Sequence, residues 1–256
     1  MVQTLRSSST LSGMTTRVFL LSPAHCGGER AQLVLRDQAR FDLASRLRAR
    51  EGASLGEVFS FLSGLYFRGK LAYAQSFARP AAGVSGVMVI TPCEGLRSPD
   101  MRVGRPLIRR YAGVDIDAAE PKYRRPLMRD ARALASALGP EASWQVVLLG
   151  SVASGKYVEP LMEVFGERLV FPAEFVGRGD MSRGGLLLRC VADGRELDYV
   201  PIPGAQRRGP RPARLTPRPG IYAAATRLSP LEVTAPLTPP RPSRRGATGA
   251  SSAGPA

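Results

Sequence analysis

Two glycine-rich segments contain residues suited to holding a negatively charged ligand. The first, residues 150–157, follows an apolar run and reads GSVASGKY, which satisfies the spacing G-x-x-x-x-G-K of a phosphate-binding loop. Its glycines allow backbone N–H groups to converge on a phosphate, with Lys156 beside it. Tyr157 stands where magnesium-dependent NTPases carry Ser or Thr. We therefore expect Lys156 and the start of the next helix to contact an anion, with magnesium-dependent nucleotide binding as the stricter alternative.

The second segment, residues 177–185, reads GRGDMSRGG. Arg178 and Arg183 can each hold a phosphate or carboxylate through two N–H groups, and Ser182 adds a hydroxyl. Asp180 is expected to cap a helix that begins at the next residue. A binding role is the favoured interpretation. The alternative is a capped turn whose glycines only allow the helix to pack closely.

Two carboxylates are candidates for acid or base catalysis. Glu94 follows an apolar run in the segment TPCEGL, and Asp180 lies in the second glycine-rich segment. Burial at such a position shifts the pKa of a carboxyl group and can prepare it for proton transfer. A turn rich in Pro, Gly and Asp would have the same composition without any chemistry.

His25 and Cys26 are adjacent in sequence, but this does not make them a nucleophilic pair. Neighbouring residues seldom point at one another, and no acid is placed to orient the imidazole ring. We expect this loop to be structural or to line the site. The three cysteines of the chain have no metal-ligand spacing, so no metal site is predicted.

Four apolar runs predict the strands that position these residues: 18–21, 87–90, 146–149 and 169–171. Most are continuous and rich in β-branched residues, which is typical of parallel strands covered on both faces. Helical periodicity predicts four helices between and after these strands. The first has a break near Gly64 or Gly69. The third has Pro160 in its first turn, and the fourth ends at Gly194. The predicted ranges are 55–78, 123–138, 158–165 and 181–192.

Alternating strands and helices predict an α/β fold with three layers, α/β/α, around a mostly parallel sheet. In such sheets ligands bind outside the carboxyl ends of the strands. The two glycine-rich segments both follow predicted strands. We therefore expect them to meet at one edge of the sheet.

The expected domain organisation is a disordered N-terminus at residues 1–16, an α/β domain at 17–203 and a disordered tail rich in Arg and Pro at 204–256. Twelve prolines occur from Pro201 onward, without an apolar period. Such a segment buries too little apolar surface to offset the entropy of ordering it.

The net charge of +15 favours a polyanionic partner such as nucleic acid. Arginine outnumbers lysine 33 to 3, however, which is typical of composition bias. Nine arginines and one acid, Glu232, lie in residues 204–256, so about half of the excess belongs to the predicted tail. Polyanion affinity and composition bias both remain open at this point.

The location expected from composition is the cytoplasm. The first apolar run is far too short for a membrane span or a secretory signal, and three scattered cysteines indicate a reducing compartment. No membrane association is predicted. The sequence identifies neither a cofactor nor an oligomeric state.

The order of five segments resembles a group of small bacterial domains that is similar to the peroxide-stress YaaA family and to the core domain of archaeosine synthase. The resemblance spans about residues 17–195. It implies a three-layer fold related to uracil-DNA glycosylases and a nucleic-acid or nucleobase ligand. The segments are SPAHCGG, LYFRGKLAYAQSFA, VMVITPCEGLRSPD, VVLLGSVASGKYVEPLMEVFG and VFPAEFVGRGDMSRGGLL.

Residues matching that group lie in three places. Tyr66, Lys70 and Tyr73 match its helix motif, Glu94, Gly95 and Pro99 match the second strand end, and Lys156 and Tyr157 match the late unit. The first loop lacks the group's usual cysteine-and-lysine pattern, and TPCE stands where those domains tend to have Ser-Ala-Lys-Tyr. The resemblance therefore implies a fold and a ligand class rather than an activity.

The leading functional hypothesis is binding of a nucleic acid, a nucleotide or a modified nucleobase at the carboxyl edge of the sheet. Lys156, Arg178 and Arg183 would hold phosphate, and Tyr66 or Tyr157 would stack on a base. One alternative is a hydrolase or transferase acting on a nucleoside-like substrate, with Glu94 or Asp180 as acid or base. Another is a non-catalytic adaptor that recruits partners through its proline-rich tail.

Overall fold

A six-stranded sheet forms the centre of the computed structural model, which describes residues 15–140, 143–216 and 218. The strands of the chain are β1 (Thr16–Leu21), β2 (Ala53–Ser54), β3 (Val87–Thr91), β4 (Gly95–Arg97), β5 (Arg102–Val103), β6 (Trp144–Leu149), β7 (Leu169–Pro172) and β8 (Tyr199–Pro201). The order in the main sheet is β4-β3-β1-β6-β7-β8, and β2 pairs with β5 in a separate two-stranded sheet.

The four predicted strands are confirmed as the parallel centre of this sheet. β1 pairs in parallel with β3 on one side and with β6 on the other, and β7 extends the sheet beyond β6. The edge strands β4 and β8 are antiparallel to their neighbours. Residues 18–21 and 146–149 are fully buried, as expected for strands covered on both faces.

Eight helices surround the sheet within the described residues: α1 (Glu29–Leu35), α2 (Asp42–Arg48), α3 (Leu55–Ser63), α4 (Leu65–Phe77), α5 (Arg105–Ala112), α6 (Pro121–Leu138), α7 (Gly155–Phe165) and α8 (Asp180–Asp193). α3, α4 and α8 pack together, and α6 packs against β3, β4 and α7. The fold is therefore a three-layer α/β/α arrangement with a mostly parallel sheet.

The helix boundaries differ from the predictions where glycines lie. The predicted helix over residues 55–78 is divided at Gly64, whose φ of +62° turns the chain between α3 and α4. α8 includes Asp180 in its first turn, with Gly179 at the capping position and no side-chain cap. The predicted Asp180 cap is therefore wrong. Gly194 ends α8 in the left-handed conformation, as predicted.

Pro160 lies in the second turn of α7, because this helix begins at Gly155 rather than at the predicted Val158. A proline has no N–H, so the carbonyl of Lys156, four residues earlier, loses its helical partner. The hydroxyl of Tyr123 donates a hydrogen bond to that carbonyl at 3.0 Å. This bond connects the first turn of α6 to the first turn of α7.

The predicted termini lie partly outside the described residues. β1 begins at Thr16, and residues 1–14 are not described. Of the predicted tail, residues 204–216 and 218 are described, and they contact the domain: Arg208 donates to the carbonyl of Ala153 at 3.1 Å, and Arg218 pairs with Asp193 at 2.8 Å. None of the described helices has the length and apolar character needed to cross a membrane.

Candidate functional site

The strand order reverses between β1 and β6. The chain passes from β1 to β3 on one side and then returns to β6 on the other side of β1. In sheets of this kind a ligand-binding crevice is expected at such a reversal, outside the carboxyl ends of the two strands. Ser22 follows β1 at this point, and Gly150 follows β6. A Cβ atom on Gly150 would lie 2.9 Å from the Cβ of Ser22, so only glycine allows the two loops to approach so closely.

Lys70 is the most unusual side chain at this edge. It projects from α4, is 1% exposed, and donates hydrogen bonds to the carbonyl oxygen and the hydroxyl of Ser22 at 2.5 and 2.8 Å. Its ammonium also lies 4.5 Å from the ring centre of Tyr66 and 4.9 Å from that of Phe67. Burial lowers the pKa of Lys70 to about 7, with Asp180 raising it and Arg183 lowering it by smaller amounts.

Tyr66 lies one turn before Lys70 on the same buried face of α4. Burial raises the pKa of its hydroxyl, while the charge of Arg183 opposes that shift. The hydroxyl oxygen is buried, and Arg183 lies close enough to lower its pKa, but no hydrogen bond of good geometry reaches it from the described residues. Buried hydroxyl groups are normally hydrogen-bonded in folded proteins. A ligand or a water molecule could supply the partner that the Tyr66 hydroxyl lacks.

α8 brings a charged pair to this edge because α4 and α8 meet through glycines. A Cβ on Gly69 would lie 2.7 Å from the carbonyl oxygen of Gly184, and one on Gly184 would lie 2.9 Å from the Cα of Tyr66. This close approach places Arg183 next to α4. Arg183 is buried, and its Nε and Nη2 donate to the carbonyl of Phe175 at 3.3 and 3.0 Å.

Asp180 joins the same group from the first turn of α8. Its carboxylate lies 3.7 Å from the guanidinium of Arg183, and its charge raises the pKa of Lys70, Tyr66 and Tyr157. The carboxylate itself is 70% exposed. Asp180 therefore connects the buried cluster to solvent.

The loop over residues 150–157 lies at the same edge as predicted. Tyr157 is buried, and burial together with Tyr66 and Asp180 raises the pKa of its hydroxyl. The ammonium of Lys156 lies 5.1 Å from the ring centre of Tyr157. The hydroxyl of Ser154 is buried without a partner among the described residues. The side chain of Glu159 lies against Gly155, so a carboxylate already complements the positive end of α7.

The turn before α8 contributes Arg178 and Ser182. Arg178 donates through Nη1 to the hydroxyl of Ser182 at 3.2 Å, and its Nε is buried without a partner in the described part of the chain. Gly177 has a φ of +71°, and a side chain there would collide with the carbonyl of Pro210. The segment after β8 therefore contacts both glycine-rich loops, at Gly177 and, through Arg208, at Ala153.

Glu94 lies in a different environment from Asp180. It follows β3 and forms an ion pair with Arg110, accepts a hydrogen bond from the hydroxyl of Tyr111 at 3.1 Å and lies 3.9 Å from Arg97. No hydrogen bond or ion pair of the described residues joins Glu94 to Asp180. The contacts that group Asp180 with Lys70, Tyr66, Tyr157 and Arg183 do not include Glu94.

His25 and Cys26 do not form a nucleophilic pair. Cys26 is buried and its thiol donates to the carbonyl of Ala24 at 3.6 Å, while His25 is exposed. Burial raises the pKa of Cys26 to about 12, which keeps the thiol protonated at neutral pH. The described residues contain no group of three or more His, Cys, Asp or Glu side chains able to hold a metal ion.

Sequence reasoning missed Ser22 and its bonds to Lys70. The serine is the first residue after a predicted strand, which is a signal for the site, but its partner lies 48 residues away on a helix. It also missed the contacts made by residues 204–216 and 218, because this part of the chain has no apolar period. A basic cleft between α5 and α6 was missed as well, since its residues lie in two helices and a loop.

Comparisons with protein-family models, with curated proteins and with solved structures give no match for this chain.

Proposed function

We propose that the chain binds a nucleotide or another nucleobase-containing ligand at the carboxyl edge of the sheet, in the crevice between β1 and β6. One observation carries the proposal: three buried polar atoms around this edge have no hydrogen-bond partner among the described residues. They are the Tyr66 hydroxyl, the Ser154 hydroxyl and Nε of Arg178. An unpaired buried polar group costs on the order of 1–3 kcal/mol, so a ligand that pairs with these atoms gains affinity.

The chemistry of the edge is consistent with a phosphorylated ligand. Lys156 lies in the first turn of α7, Arg178 lies two residues before α8, and both are only partly buried. Their cationic side chains suit a phosphate group. The hydroxyls of Tyr66 and Ser154 suit the polar edge of a base or the sugar. The family resemblance of the sequence implies the same ligand class. Three free cysteines agree with our further proposal of a cytoplasmic location.

The test is isothermal calorimetry of the full chain with mononucleotides, nucleosides and free nucleobases. Tyr66→Phe removes one hydroxyl from the edge and should lower the affinity for whichever ligand binds by roughly 5- to 20-fold. Tyr73→Phe is the matched control on the same helix, because the Tyr73 hydroxyl is bonded to Tyr199 and to the backbone of Leu197. If no ligand of these classes binds, or if both variants weaken binding equally, the proposal is wrong.

A second candidate function, acyl transfer or hydrolysis, is favoured by the 2.8 Å distance between Ser22 Oγ and Lys70 Nζ. In its neutral form Lys70 can accept the proton of the Ser22 hydroxyl as Oγ attacks an acyl carbon, and then return that proton to the leaving group. A mass-spectrometric search for acylated Ser22 after reaction with activated esters tests this candidate. Labelling should disappear in Lys70→Met, and an unlabelled wild type excludes the candidate.

A further inference from the structure

A basic cleft lies outside the site described above. It is open, has a volume of about 760 Å³, and lies between the end of α5 and the first turns of α6. Its lining residues are Cys93, Arg109, Arg110, Gly113, Val114, Pro121, Lys122, Arg125 and Pro126. Four of these side chains are cations and none is an acid, so the described lining carries only positive charge.

Three of the four cations have no acidic partner within the described residues: Arg109, Lys122 and Arg125, all exposed. Arg110 pairs with Glu94 and is 59% exposed, so it retains N–H groups toward solvent. Of the other arginines of the same two helices, Arg105 pairs with Asp37, Arg124 with Glu163 and Arg129 with Asp130, while Arg132 has no ion pair within the described residues. Three of the four unpaired cations of α5 and α6 therefore line this cleft, a clustering that composition bias does not explain.

Two of the three acids in the loop before α6 are used locally, while Asp115, which follows Val114, is exposed and has no ion pair among the described residues. A carboxylate oxygen of Asp117 accepts from the backbone N–H of Ala119 at 2.8 Å, and one of Glu120 accepts from that of Lys122 at 2.8 Å. Glu120 thereby caps α6. Lys122 and Arg125 are three residues apart on that helix and so share one face.

The cleft lies at the same edge of the sheet as the proposed ligand site. Cys93 lies at the carboxyl end of β3, so the cleft opens at the same edge of the sheet as the crevice between β1 and β6. Tyr123, the neighbour of Lys122, donates its hydroxyl to the carbonyl of Lys156. Cations of the cleft are therefore connected through one hydrogen bond to the loop that carries Lys156.

We infer that the cleft of Arg109, Arg110, Lys122 and Arg125 binds the backbone phosphates of a single-stranded nucleic acid. Cations that neutralise phosphates release counterions and so provide affinity without reading sequence. Val114, Pro121 and Pro126 add apolar surface against sugars or bases. The inference rests on the proposed function for its ligand class and extends it from a mononucleotide to a strand, because both places lie at the carboxyl edge of the sheet.

Fluorescence anisotropy of the full chain with a labelled 12-nucleotide single strand tests the inference. The double variant Lys122→Gln/Arg125→Gln should weaken binding on the order of tenfold at low salt, and its slope of log affinity against log salt should be smaller by about 1.4, the value for two phosphate contacts on a single strand. Arg132→Gln/Arg195→Gln is the control. Both arginines are exposed and lie outside the cleft, and the two substitutions remove the same charge as the cleft variant.

The outcomes separate the two proposals. Equal weakening in both double variants means that overall charge alone drives binding, and it overturns the inference, as does equal affinity for a duplex. Mononucleotide binding that depends on Tyr66, with strand binding insensitive to Lys122 and Arg125, overturns the inference and leaves the proposed function intact. Strand binding that depends on the cleft, without any mononucleotide binding, supports the inference and contradicts the proposed function.

Discussion

The ammonium nitrogen of Lys70 lies 2.8 Å from the hydroxyl oxygen of Ser22, and the lysine is fully enclosed by α4, α8 and the end of β1. The bond joins the first parallel strand to the helix that covers it. Because burying an ammonium requires several acceptors and reduces its basicity, the pair gives the edge a group whose protonation changes near neutral pH. Such a group makes the stability of the protein depend on pH.

The stability of the protein should increase between about pH 7 and pH 10, in part because of Lys70. Burial lowers its folded pKa to about 7 from an ordinary value of 10.5, so in this window the unfolded chain binds the additional proton. Stability therefore rises with pH, by about 1.4 kcal/mol per pH unit for one group. Urea unfolding at several pH values should show this rise in wild type and a smaller rise in Lys70→Met. Parallel curves for the two proteins would contradict a buried, weakly basic lysine.

The α4–α8 contact should not tolerate a methyl group at Gly184. A Cβ there would approach the carbonyl carbon of Leu65 and the Cα of Tyr66 to 2.9 Å, and both are backbone atoms that cannot rotate away. Overpacking of this kind costs roughly 1–3 kcal/mol. Thermal unfolding of Gly184→Ala should show this loss.

Gly185→Ala is the matched control one residue along α8. A Cβ at Gly185 would meet only Cδ1 of Leu215 at 3.7 Å, an ordinary contact. Alanine is the better helix former by about 1 kcal/mol, so this variant should be as stable as wild type or more so. A loss of stability in Gly185→Ala equal to that in Gly184→Ala would mean that helix contact is not the cause.

The parallel centre of the sheet could be predicted because its strands are nearly continuous apolar runs. The edge strands β4 and β8 could not, because each has three residues and forms through pairing with a neighbour rather than through its own pattern. The break at Gly64 was predictable, since few other residues adopt its positive φ. The start of α7 was not predictable, because a proline such as Pro160 is usually found in the first turn of a helix. Here Pro160 lies in the second turn, and the hydroxyl of Tyr123 bonds the carbonyl that the proline leaves without a helical partner.

The candidate site could be predicted only in part. Residues 150–157 and 177–185 were placed at one edge because both follow parallel strands. Lys70 and Tyr66 were identified through the resemblance rather than through their environment, since nothing in a helical sequence shows that a lysine faces inward. The basic cleft and the partners of Glu94 both depend on how α5 and α6 are oriented. Local sequence does not specify that orientation.

Glu196→Gln should destabilise the other end of the sheet. The carboxylate of Glu196 accepts from Arg17 at 2.5 Å, from Arg79 at 2.9 Å and from the Tyr199 hydroxyl at 2.9 Å. The side chain of Arg17 is only 13% exposed, so the neutral amide leaves a mostly buried guanidinium without its counterion. We expect a loss of roughly 2–3 kcal/mol in urea unfolding.

Asp42→Asn is the control for that measurement. It breaks the ion pair with Arg46 within α2, where the carboxylate is 73% exposed, and should change stability by less than about 0.5 kcal/mol. Similar losses in both variants would indicate that the Glu196 network is no stronger than a surface ion pair.

Cys93 should be the first of the three thiols to react in the folded protein. Cys26 and Cys190 are buried, and burial raises their pKa values to about 12 and about 11, so they are neither accessible nor ionised at pH 8. Cys93 is partly exposed and lines the basic cleft. Titration with a disulfide reagent should show one fast thiol, absent in Cys93→Ala, and two that react only in denaturant. A fast phase that persists in Cys93→Ala would mean that one of the buried cysteines is accessible to the reagent in the folded protein.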